Sequence, residues 1–350
     1  MPGAFSDCSP DRWGKNLISK TVRVAGLARR PYSPVGKRDR LPARGQRPDP
    51  PGCACAFGLR RDGPFLYPDL TVPEIIELPK LLHAADAVAR DADDMAAIKE
   101  LLDAGSGSLG GARPKASVRD GGRLLIAKFP HHNDDWDVMA WEKTALDLAE
   151  GAGIDTPHRE IISVGGKSVL ILDRFDRDQR RRIGYMSAMT MVEGRDGTPG
   201  DYLEVAETLT EFDSRTGDDL RQLWRRIAFS IAVHNTDDHL RNHGFLRDGS
   251  SGWRLSPVFD VNPNPDVSTQ RVTGIGGAHH GEDELRRADD LRRLLSRYRA
   301  NAARQIIIEV LDATSEWQRV ATDNGVAPGE LSRFADVFEG QREPLERLTL

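Results

Sequence analysis

The chain has 350 residues, a formal net charge of −5 and 29% charged residues, which is enough length for two lobes or domains with a sizeable core. No apolar run reaches membrane-spanning length and the N-terminus lacks the order of a signal peptide, so we expect a cytoplasmic protein. The three cysteines, at positions 8, 53 and 55, give neither a disulfide framework nor a zinc-binding pattern.

The first 62 residues differ in charge from the rest of the chain. They carry 13 Lys and Arg against 5 Asp and Glu, a local charge of +8, so the remainder carries −13. A short helix is predicted over residues 10–20, but residues 26–62 scatter prolines among arginines without a hydrophobic period. We expect a solvated, poorly ordered basic arm rather than a nucleic-acid patch, and hypothesise a disturbed reading frame or decayed segment there.

Two helices and a glycine-rich segment precede the first predicted strand. The helices cover residues 75–86 and 95–102, and GSGSLGGARPK follows at residues 105–115. Glycines let backbone N–H groups approach a phosphate closely, although glycine–serine runs are more often linkers. The apolar run at residues 124–129 contains one charge, Lys128. A lysine inside a buried strand is costly unless it is paired or meets an anion such as a nucleotide phosphate.

A helix is predicted directly after this strand. It has cap residues at Asn133, Asp134 and Asp135, and Gly151 ends it. Glu142 lies on its apolar side, where it could face the strand and pair with the strand lysine as in kinases. The alternative is an ordinary surface glutamate on an amphipathic helix.

A second hairpin leads into a charged segment. Strands are predicted at residues 161–164 and 168–172, joined by Gly165 and Gly166 in a tight turn. The sequence DRFDR at residues 173–177 follows at once. In a two-lobed phosphotransferase this is where the lobes connect and where backbone groups meet the adenine edge.

The sequence NTDDHLRNHGF at residues 235–245 is the strongest candidate for a catalytic segment. An amphipathic helix runs into it from Asp219, and two short apolar runs after it lead to Asp260. Asp237, followed by Asn242, a hairpin and then Asp260, is the arrangement of kinase-like phosphotransferases. In such enzymes the first Asp orients the attacking hydroxyl, while the Asn and second Asp hold Mg²⁺ on the phosphates.

Two other interpretations of this segment stay open. A loop rich in Asp, Asn and His is commonly a solvated turn, because these side chains bond their own backbone. A metal-dependent phosphohydrolase would use imidazole and carboxylate ligands instead. Its candidate ligands are His234, Asp237, Asp238, His239 and His243. That interpretation leaves Lys128 and the glycine-rich segment unexplained, so we favour the phosphotransferase.

The order of elements predicts an α+β, two-lobed protein-kinase-like fold with a small strand-rich N-lobe and a helical C-lobe. The predicted helices of the C-terminal half cover residues 201–213, 219–234, 285–299, 301–313 and 328–347. The predicted regions are a basic segment at 1–62, an N-lobe at 63–178 and a C-lobe at 179–350.

Together these motifs resemble the HipA-like serine/threonine kinases, which are the toxin partners of bacterial toxin–antitoxin pairs. The resemblance runs from about Pro64 to the C-terminus. It rests on SLGGARPK at 108–115, LIAKFP at 125–130, LDRFDR at 172–177, NTDDHLRN at 235–242 and LSPVFD at 255–260. Five motifs in the family's order are far more specific than any one of them.

The resemblance implies a role for each matching residue, with ATP and Mg²⁺ as cofactors. Asp237 corresponds to the catalytic base, His239 supports its loop, and Asn242 and Asp260 are the Mg²⁺ ligands. The residues implied in nucleotide binding are Gly110, Gly111, Ala112, Arg113, Lys115, Lys128, Glu142, Asp173, Arg174 and Phe175. Ser108 corresponds to a serine that family members autophosphorylate, which expels the glycine-rich loop and stops catalysis.

The resemblance also implies partners and leaves one alternative function. We expect a protein substrate, with aminoacyl-tRNA synthetases among those of the family, and a small HipB-like DNA-binding antitoxin, but neither membrane contact nor direct nucleic-acid binding. Family members begin with an N-terminal domain that this chain largely lacks, so an N-terminally truncated, catalytically impaired pseudokinase or antitoxin-binding remnant is the alternative. Asp238 stands where such loops often have glycine, and it either raises the pKa of Asp237 or points to solvent.

Overall fold

The computed structural model describes residues 72–90, 94–104, 111–178, 181–195, 197–250, 252–279 and 300–349, and the single residues 17, 106 and 287. The helix predicted at residues 10–20 falls outside this part of the chain except for Leu17, and the one at 285–299 except for Arg287. Ser108, Gly110 and the three cysteines also lie outside it.

The chain divides into two compact units. The strand-rich unit comprises Asp7–Asp134 and Ile162–Arg182, and the helical unit comprises Met1–Ser6, Asp135–Ile161 and Ile183–Leu350. Mixed helices and antiparallel strands in this order confirm the predicted α+β class. No helix in the described ranges is long and apolar enough to cross a membrane.

The strand-rich unit is built on a four-stranded sheet preceded by two helices. A 3₁₀ turn at Ile75–Glu77 leads into α1 (Leu78–Ala89), followed by α2 (Met95–Asp103). The strands are β1 (Lys115–Asp120), β2 (Arg123–Lys128), β3 (Arg159–Val164) and β4 (Lys167–Asp173), in the order β1-β2-β4-β3. A small ladder of β5 (Arg177–Asp178) and β6 (Arg181–Arg182) follows.

The tight turn between β3 and β4 and the hydrophobic faces of the strands explain how this sheet forms. Gly165 and Gly166 have φ of +56° and +75°, as a two-residue hairpin requires, so the predicted β3–β4 hairpin is confirmed. The inward residues of β1, β2 and β4 form one core with the apolar faces of α1 and α2. Its members include Leu81, Val88, Ile98, Leu101, Val118, Leu125, Phe129, Val169 and Ile171. β1 was not predicted, because its KASVRD sequence has few apolar residues to signal a strand.

The helical unit contains the remaining elements. They are α3 (Val138–Gly151), β7 (Tyr185–Ser187), α4 (Ala188–Met191), β8 (Gly200–Asp201), α5 (Tyr202–Phe212), α6 (Thr216–Ala232), β9 (Gly244–Asp248), β10 (Gly252–Leu255), β11 (Thr273–Gly274), α7 (Ala300–Ser315), α8 (Trp317–Asp323), α9 (Pro328–Gly340) and α10 (Arg342–Arg347). The helices predicted near 201–213, 219–234, 301–313 and 328–347 are confirmed, the last as two helices.

The predicted cap of α3 was wrong. The N-cap is Asp137, whose side chain accepts from the N–H of Ala140 at 3.0 Å, rather than any of residues 133–135. Asp134 instead pairs with Arg113 and accepts from the N–H of His131. Several cap-forming residues in a row leave the helix start ambiguous, and these longer-range contacts decide it.

A group of stacked aromatic rings joins α3 to the C-terminal helices. The Trp141 ring stacks on Phe334 with 3.8 Å between centroids, and Trp317 stacks on Phe338 at 4.8 Å. Glu330 accepts a hydrogen bond from the Trp141 indole at 2.9 Å, which satisfies the polar atom of that buried ring. These contacts fix α3 on α8 and α9.

Candidate active site

Helix α6 delivers the chain to the candidate loop at residues 235–243. Its predicted apolar face is buried throughout, from Leu220 to Ile231. His234, directly after the helix, has a φ of +51°, which is uncommon for a residue with a side chain. The N–H of Asn235 donates to Ser230 O at 2.9 Å, so the chain turns back on the helix end. This reversal of the chain fixes where the loop begins.

Asp237 and Asn242 share one hydrogen-bonded turn. The carbonyl oxygen of Asp237 accepts from the N–H of His239 at 3.0 Å and from Asn242 Nδ2 at 3.2 Å. Asn242 is 5% exposed, whereas Asp237 is exposed. The turn therefore presents the Asp237 carboxylate at the surface and fixes the Asn242 amide, with its Oδ1 directed away from Asp237 O.

Asp238 does not point to solvent, which was one of the two expectations for it. It is buried, and it accepts hydrogen bonds from the Tyr202 hydroxyl and from Ser230 Oγ, the latter at 3.2 Å. His243 Nε2 lies 3.2 Å from Asp238 Oδ1. Burial raises the pKa of Asp238, but the pairing with His243 and the hydrogen bond from Tyr202 outweigh burial and lower that pKa to about 2. The carboxylate is thus an internal, ionised group and not a solvated one, whereas its effect on the pKa of Asp237 stays a prediction.

The segment that carries Asp260 is tied to this loop. Asp260 has a φ of +60°, a strained conformation for a residue with a side chain, of the kind that concentrates at functional sites. Just beyond it, the N–H of Asn262 donates to Asn235 Oδ1 at 3.2 Å, and Asn264 Nδ2 donates to Thr236 Oγ1 at 2.9 Å. These bonds hold the Asp260 segment against the start of the loop.

The hairpin between the loop and Asp260 is also fixed by close packing. β9 and β10 pair antiparallel, and β7 pairs with the other edge of β9. A Cβ on Gly244 would lie 2.5 Å from the Tyr185 ring and 2.7 Å from Ser256 Oγ, so no side chain fits at the first position of β9. The glycine is therefore required for the hairpin to follow the loop directly.

Arg271 is bonded to the candidate loop, a contact that the sequence did not indicate. Its Nη1 donates to Asn235 O at 2.8 Å and to Ser230 Oγ at 2.9 Å, and its side chain is buried. Its neighbour Val272 donates from N–H to Thr236 O at 2.9 Å. An arginine in an irregular segment far along the chain carries no local signal of such a role.

His239 contributes to the loop through its backbone. Its N–H donates to Asp237 O, and its carbonyl accepts from the N–H of Asn242 at 2.8 Å. Its buried Nδ1 has no hydrogen-bond partner among the described residues. These are backbone contacts, and support of the loop by the His239 side chain stays a prediction.

The five candidate ligands of a metal-dependent phosphohydrolase do not assemble. Within the described residues, no group of three or more His, Cys, Asp or Glu side chains could hold a metal ion. His234 Nε2 is 3.0 Å from Asp266 O, Asp238 and His243 face each other inside the protein, and Asp237 faces outward. In the described residues, the candidate ligands named above thus have different environments.

In the strand-rich unit, two predicted phosphate-binding lysines are neighbours. Lys115 and Lys128 are Cα partners in the antiparallel β1–β2 ladder, so their side chains project from the same face of the sheet. They are 5% and 6% exposed. Two ammonium groups at adjacent buried positions form a concentrated positive charge, and each has interactions within the protein.

The glycine-rich segment leads into this ladder. Gly111 has a φ of +89°, which a residue with a side chain rarely adopts, and Ala112 is exposed. Arg113 Nη1 binds both carboxylate oxygens of Asp134, at 2.5 and 2.6 Å. The N–H of Phe129 donates to Pro114 O at 3.0 Å. These contacts fix the C-terminal end of the segment, where the described part of it begins.

At the end of β4, charged side chains are engaged with one another. Asp173 Oδ1 accepts from Arg123 Nη2 at 2.5 Å. Arg174 binds Asp176 through Nε at 2.8 Å and Nη2 at 2.7 Å, and Arg177 also pairs with Asp176. The pKa of Asp176 is lowered because these arginines outweigh its burial. The side chains of Asp173 and Arg174 are therefore committed within the protein.

Glu142 and Phe175 are the last two residues predicted to take part in nucleotide binding. Glu142 lies on α3 and is 1% exposed, so it is not the surface glutamate of the alternative interpretation. A carboxylate so deeply buried is costly unless it is paired, and Glu142 has interactions within the protein. Phe175 is half-buried in the turn after β4.

Comparisons with known proteins show sequence relatives. Residues 107–317 match the family described as HipA-like C-terminal domain. A Haemophilus influenzae protein named "Putative kinase" is 24% identical over 178 residues, which cover 45% of this chain and 51% of the relative. A Sinorhizobium fredii protein, "Putative kinase Y4mE", is 25% identical over 167 residues, which cover 43% of this chain and 38% of the relative. The chain thus spans about half, or less, of the curated relatives it matches.

A solved structure has a similar fold. It is a chain of the toxin–antitoxin complex of HipA, HipB and operator DNA from Shewanella oneidensis, with a TM-score of 0.54 and 14% identity. The likeness covers 69% of this chain and 64% of that one. It confirms the predicted kinase-like architecture. Because the family match spans more than half of the sequence, this chain belongs to the HipA-like C-terminal domain family.

Proposed function

We propose that the chain is an ATP- and Mg²⁺-dependent serine/threonine protein kinase of the HipA type. The observation that carries the proposal is the geometry of the 235–243 loop. Its turn exposes the Asp237 carboxylate, fixes the Asn242 amide, and is hydrogen-bonded to the segment directly after Asp260. Phosphoryl transfer depends on this kind of positioning more than on covalent chemistry by the protein.

Asp237 acts on the attacking hydroxyl. Its exposed carboxylate orients the serine or threonine of a protein substrate and accepts the hydroxyl proton. Asn242 and Asp260 supply amide and carboxylate oxygens, which are the ligands that Mg²⁺ prefers alongside nucleotide phosphates. When bound, Mg²⁺ neutralises charge on the phosphates. The role of Asn242 as a ligand is supported by its Nδ2, which donates to Asp237 O and leaves the amide oxygen directed away from that carbonyl.

The strand-rich unit supplies the groups for ATP. Lys128 binds the phosphates, and Lys115, its partner in the ladder, adds a second positive charge. Gly110, Gly111, Ala112 and Arg113 are the proposed phosphate-binding segment that precedes them in the sequence, and the buried Glu142 of α3 is the remaining acidic residue proposed for nucleotide binding. Asp173, Arg174 and Phe175 serve the adenine end through their backbone, because the two charged side chains are engaged by Arg123 and Asp176.

Ser108 is the proposed site of autophosphorylation. A phosphoserine carries nearly two negative charges, and it would stand seven residues before Lys115 in the segment meant for the ATP phosphates. It would therefore compete with the nucleotide for the same positive charge. Phosphorylation at Ser108 thereby limits the activity of the kinase.

The proposed partners are proteins. The substrate is a serine- or threonine-bearing protein, with an aminoacyl-tRNA synthetase as the candidate, and the regulator is a HipB-like DNA-binding antitoxin. The related Shewanella oneidensis chain was solved with HipB and operator DNA. DNA contact is assigned to the antitoxin and not to this chain.

The proposal is tested by comparing the wild type with Asp237→Asn in labelled ATP and Mg²⁺, followed by mass spectrometry of the peptide that contains Ser108. We expect phosphate transfer to fall by about 10²- to 10⁴-fold in the variant, because a positioned base contributes about that factor. ATP binding, measured by calorimetry, should persist. Asp312→Asn, an exposed carboxylate on α7, is the matched control and should transfer phosphate normally.

Two outcomes would count against the proposal. Undiminished transfer in Asp237→Asn would remove the assigned base. A wild type that binds ATP but transfers no phosphate to itself or to protein would favour the pseudokinase alternative.

A further inference from the structure

The second carboxylate of the loop, Asp238, is directed opposite to the first. Asp237 is exposed, and Asp238 is 6% exposed, although consecutive Cα atoms are only about 3.8 Å apart. A buried carboxylate needs partners to offset its lost hydration. Asp238 has them, and they come from elements far from it in sequence.

The partners of Asp238 attach the loop to two helices. The Tyr202 hydroxyl at the start of α5 donates to Asp238 Oδ2, and Ser230 Oγ near the end of α6 donates to the same oxygen at 3.2 Å. Burial and the Asp238 carboxylate raise the pKa of Tyr202, so its hydroxyl stays protonated and able to donate. The other oxygen, Oδ1, is 3.2 Å from His243 Nε2. The carboxylate thereby connects α5 and α6 with the C-terminal residue of the loop, His243.

The Asp238–His243 pair also spans the proposed catalytic groups. Asp238 follows the proposed base Asp237, and His243 follows the proposed Mg²⁺ ligand Asn242. Asp237 and Asn242 are joined directly by the hydrogen bond from Asn242 Nδ2 to Asp237 O. The loop is therefore closed twice, once by the Asp237–Asn242 bond and once by the buried pair of their neighbours. A displacement of Asp238 is passed to Asp237 through a single peptide unit.

We propose that Asp238 is a positioning residue, which through His243, Tyr202 and Ser230 sets the spacing between Asp237 and Asn242 for phosphoryl transfer. This inference rests on the proposed kinase function. The positioning role explains why a carboxylate is buried at this position, although a hydrophobic residue would cost less free energy to bury. A misplacement of about 1 Å in a reacting group can cost about 10²-fold in rate, so a small shift of the loop is sufficient.

The test compares Asp238→Asn and Tyr202→Phe with the wild type. Asp238→Asn keeps the shape of the side chain and removes its charge, whereas Tyr202→Phe removes one donor and keeps the carboxylate. We expect kcat for phosphate transfer to fall about 10- to 100-fold in Asp238→Asn and less in Tyr202→Phe, with KM for ATP changed less than about threefold. Hydrogen exchange in the peptide covering residues 235–243 should accelerate in both.

The matched control is Asp147→Asn. Asp147 lies on α3 and not in the loop, and its carboxylate accepts hydrogen bonds from Lys143, Arg159 and Asn324. The variant should lose stability without a fall in kcat below its unfolding temperature and without faster exchange at residues 235–243. The double variant Asp238→Asn with His243→Gln should lose little more kcat than Asp238→Asn alone, since residues that act as one unit are not additive.

The outcomes separate the inference from the proposed function. An unchanged kcat and unchanged loop exchange in Asp238→Asn would overturn the positioning role while the wild type remains a kinase. If the wild type transfers no phosphate, the kinase proposal fails, and the exchange measurement then decides whether Asp238 fixes the loop. A raised KM for ATP with an unchanged kcat would also overturn the inference.

Discussion

Two neighbouring carboxyl groups predict a measurable pH dependence of stability. Asp213, at the C-terminal end of α5, lies beside Asp219 of α6, whose Oδ2 accepts from the N–H of Leu255 in β10 at 2.7 Å. Asp213 Oδ2 accepts from the N–H of Arg215 at 2.9 Å, but its buried Oδ1 has no donor among the described residues. Burial and the Asp219 carboxylate raise the pKa of Asp213 to about 7. Protonation of Asp213 would let this pair of carboxyl groups share a hydrogen bond.

The direction of the effect follows from the two pKa values of Asp213. Its ordinary pKa is 3.8 and its folded pKa is about 7, so the folded protein holds the proton more tightly than the unfolded chain. The resulting stabilisation is fully present below about pH 4 and is lost as the pH rises through about 7. A shift of three units corresponds to about 4 kcal/mol, and solvent screening of this half-buried side chain reduces it to roughly 1–2 kcal/mol.

The perturbation that tests this reasoning is Asp213→Asn. The amide accepts from the N–H of Arg215 as before, donates to Asp219 from its NH₂ group, and does not titrate. The wild type should lose roughly 1–2 kcal/mol of unfolding free energy between pH 5 and 8, and the variant should lose much less and be the more stable of the two at pH 8.

The assay is urea unfolding at four pH values and constant ionic strength, with Asp218→Asn as control. Asp218 is an exposed carboxylate in the first turn of α6, and its removal should leave the wild-type pH dependence in place. Equal slopes of stability against pH in the wild type and in Asp213→Asn would refute the shared proton.

Two further substitutions test the packing around the site. Gly244→Ala should destabilise the helical unit by about 1–3 kcal/mol, since the new methyl group overlaps the Tyr185 ring. The control Gly122→Ala has open space around it and should cost little stability. Equal unfolding midpoints of the two variants in urea would contradict this prediction. Asp176→Asn should destabilise the strand-rich unit by about 3–5 kcal/mol, because it removes the buried negative charge that both Arg174 and Arg177 face. A thermal unfolding midpoint within a degree or so of wild type would show that the charge cluster is dispensable.

Elements with local signals were predictable from the sequence. The β3–β4 hairpin needed only two glycines between apolar strands, and α6 needed only its helical spacing of apolar residues. The family was recognisable because five short motifs occur in order, and the family match confirms it. β1 and the cap of α3 were missed or misplaced, since the polar sequence of one and the repeated cap residues of the other give ambiguous local signals.

The sequence alone determined which residue types are available for the proposed phosphoryl transfer and in what order they occur along the chain. Only the tertiary structure decided that Asp237 is exposed and Asp238 buried, and that Tyr202 and Arg271 fix the loop from 36 residues away on either side. The reason is physical: helical period and turn chemistry act over a few residues, whereas the partner of a buried charge is chosen by packing. Two adjacent aspartates with the same intrinsic chemistry acquired different environments because packing buried Asp238 among donors inside the protein and left Asp237 exposed.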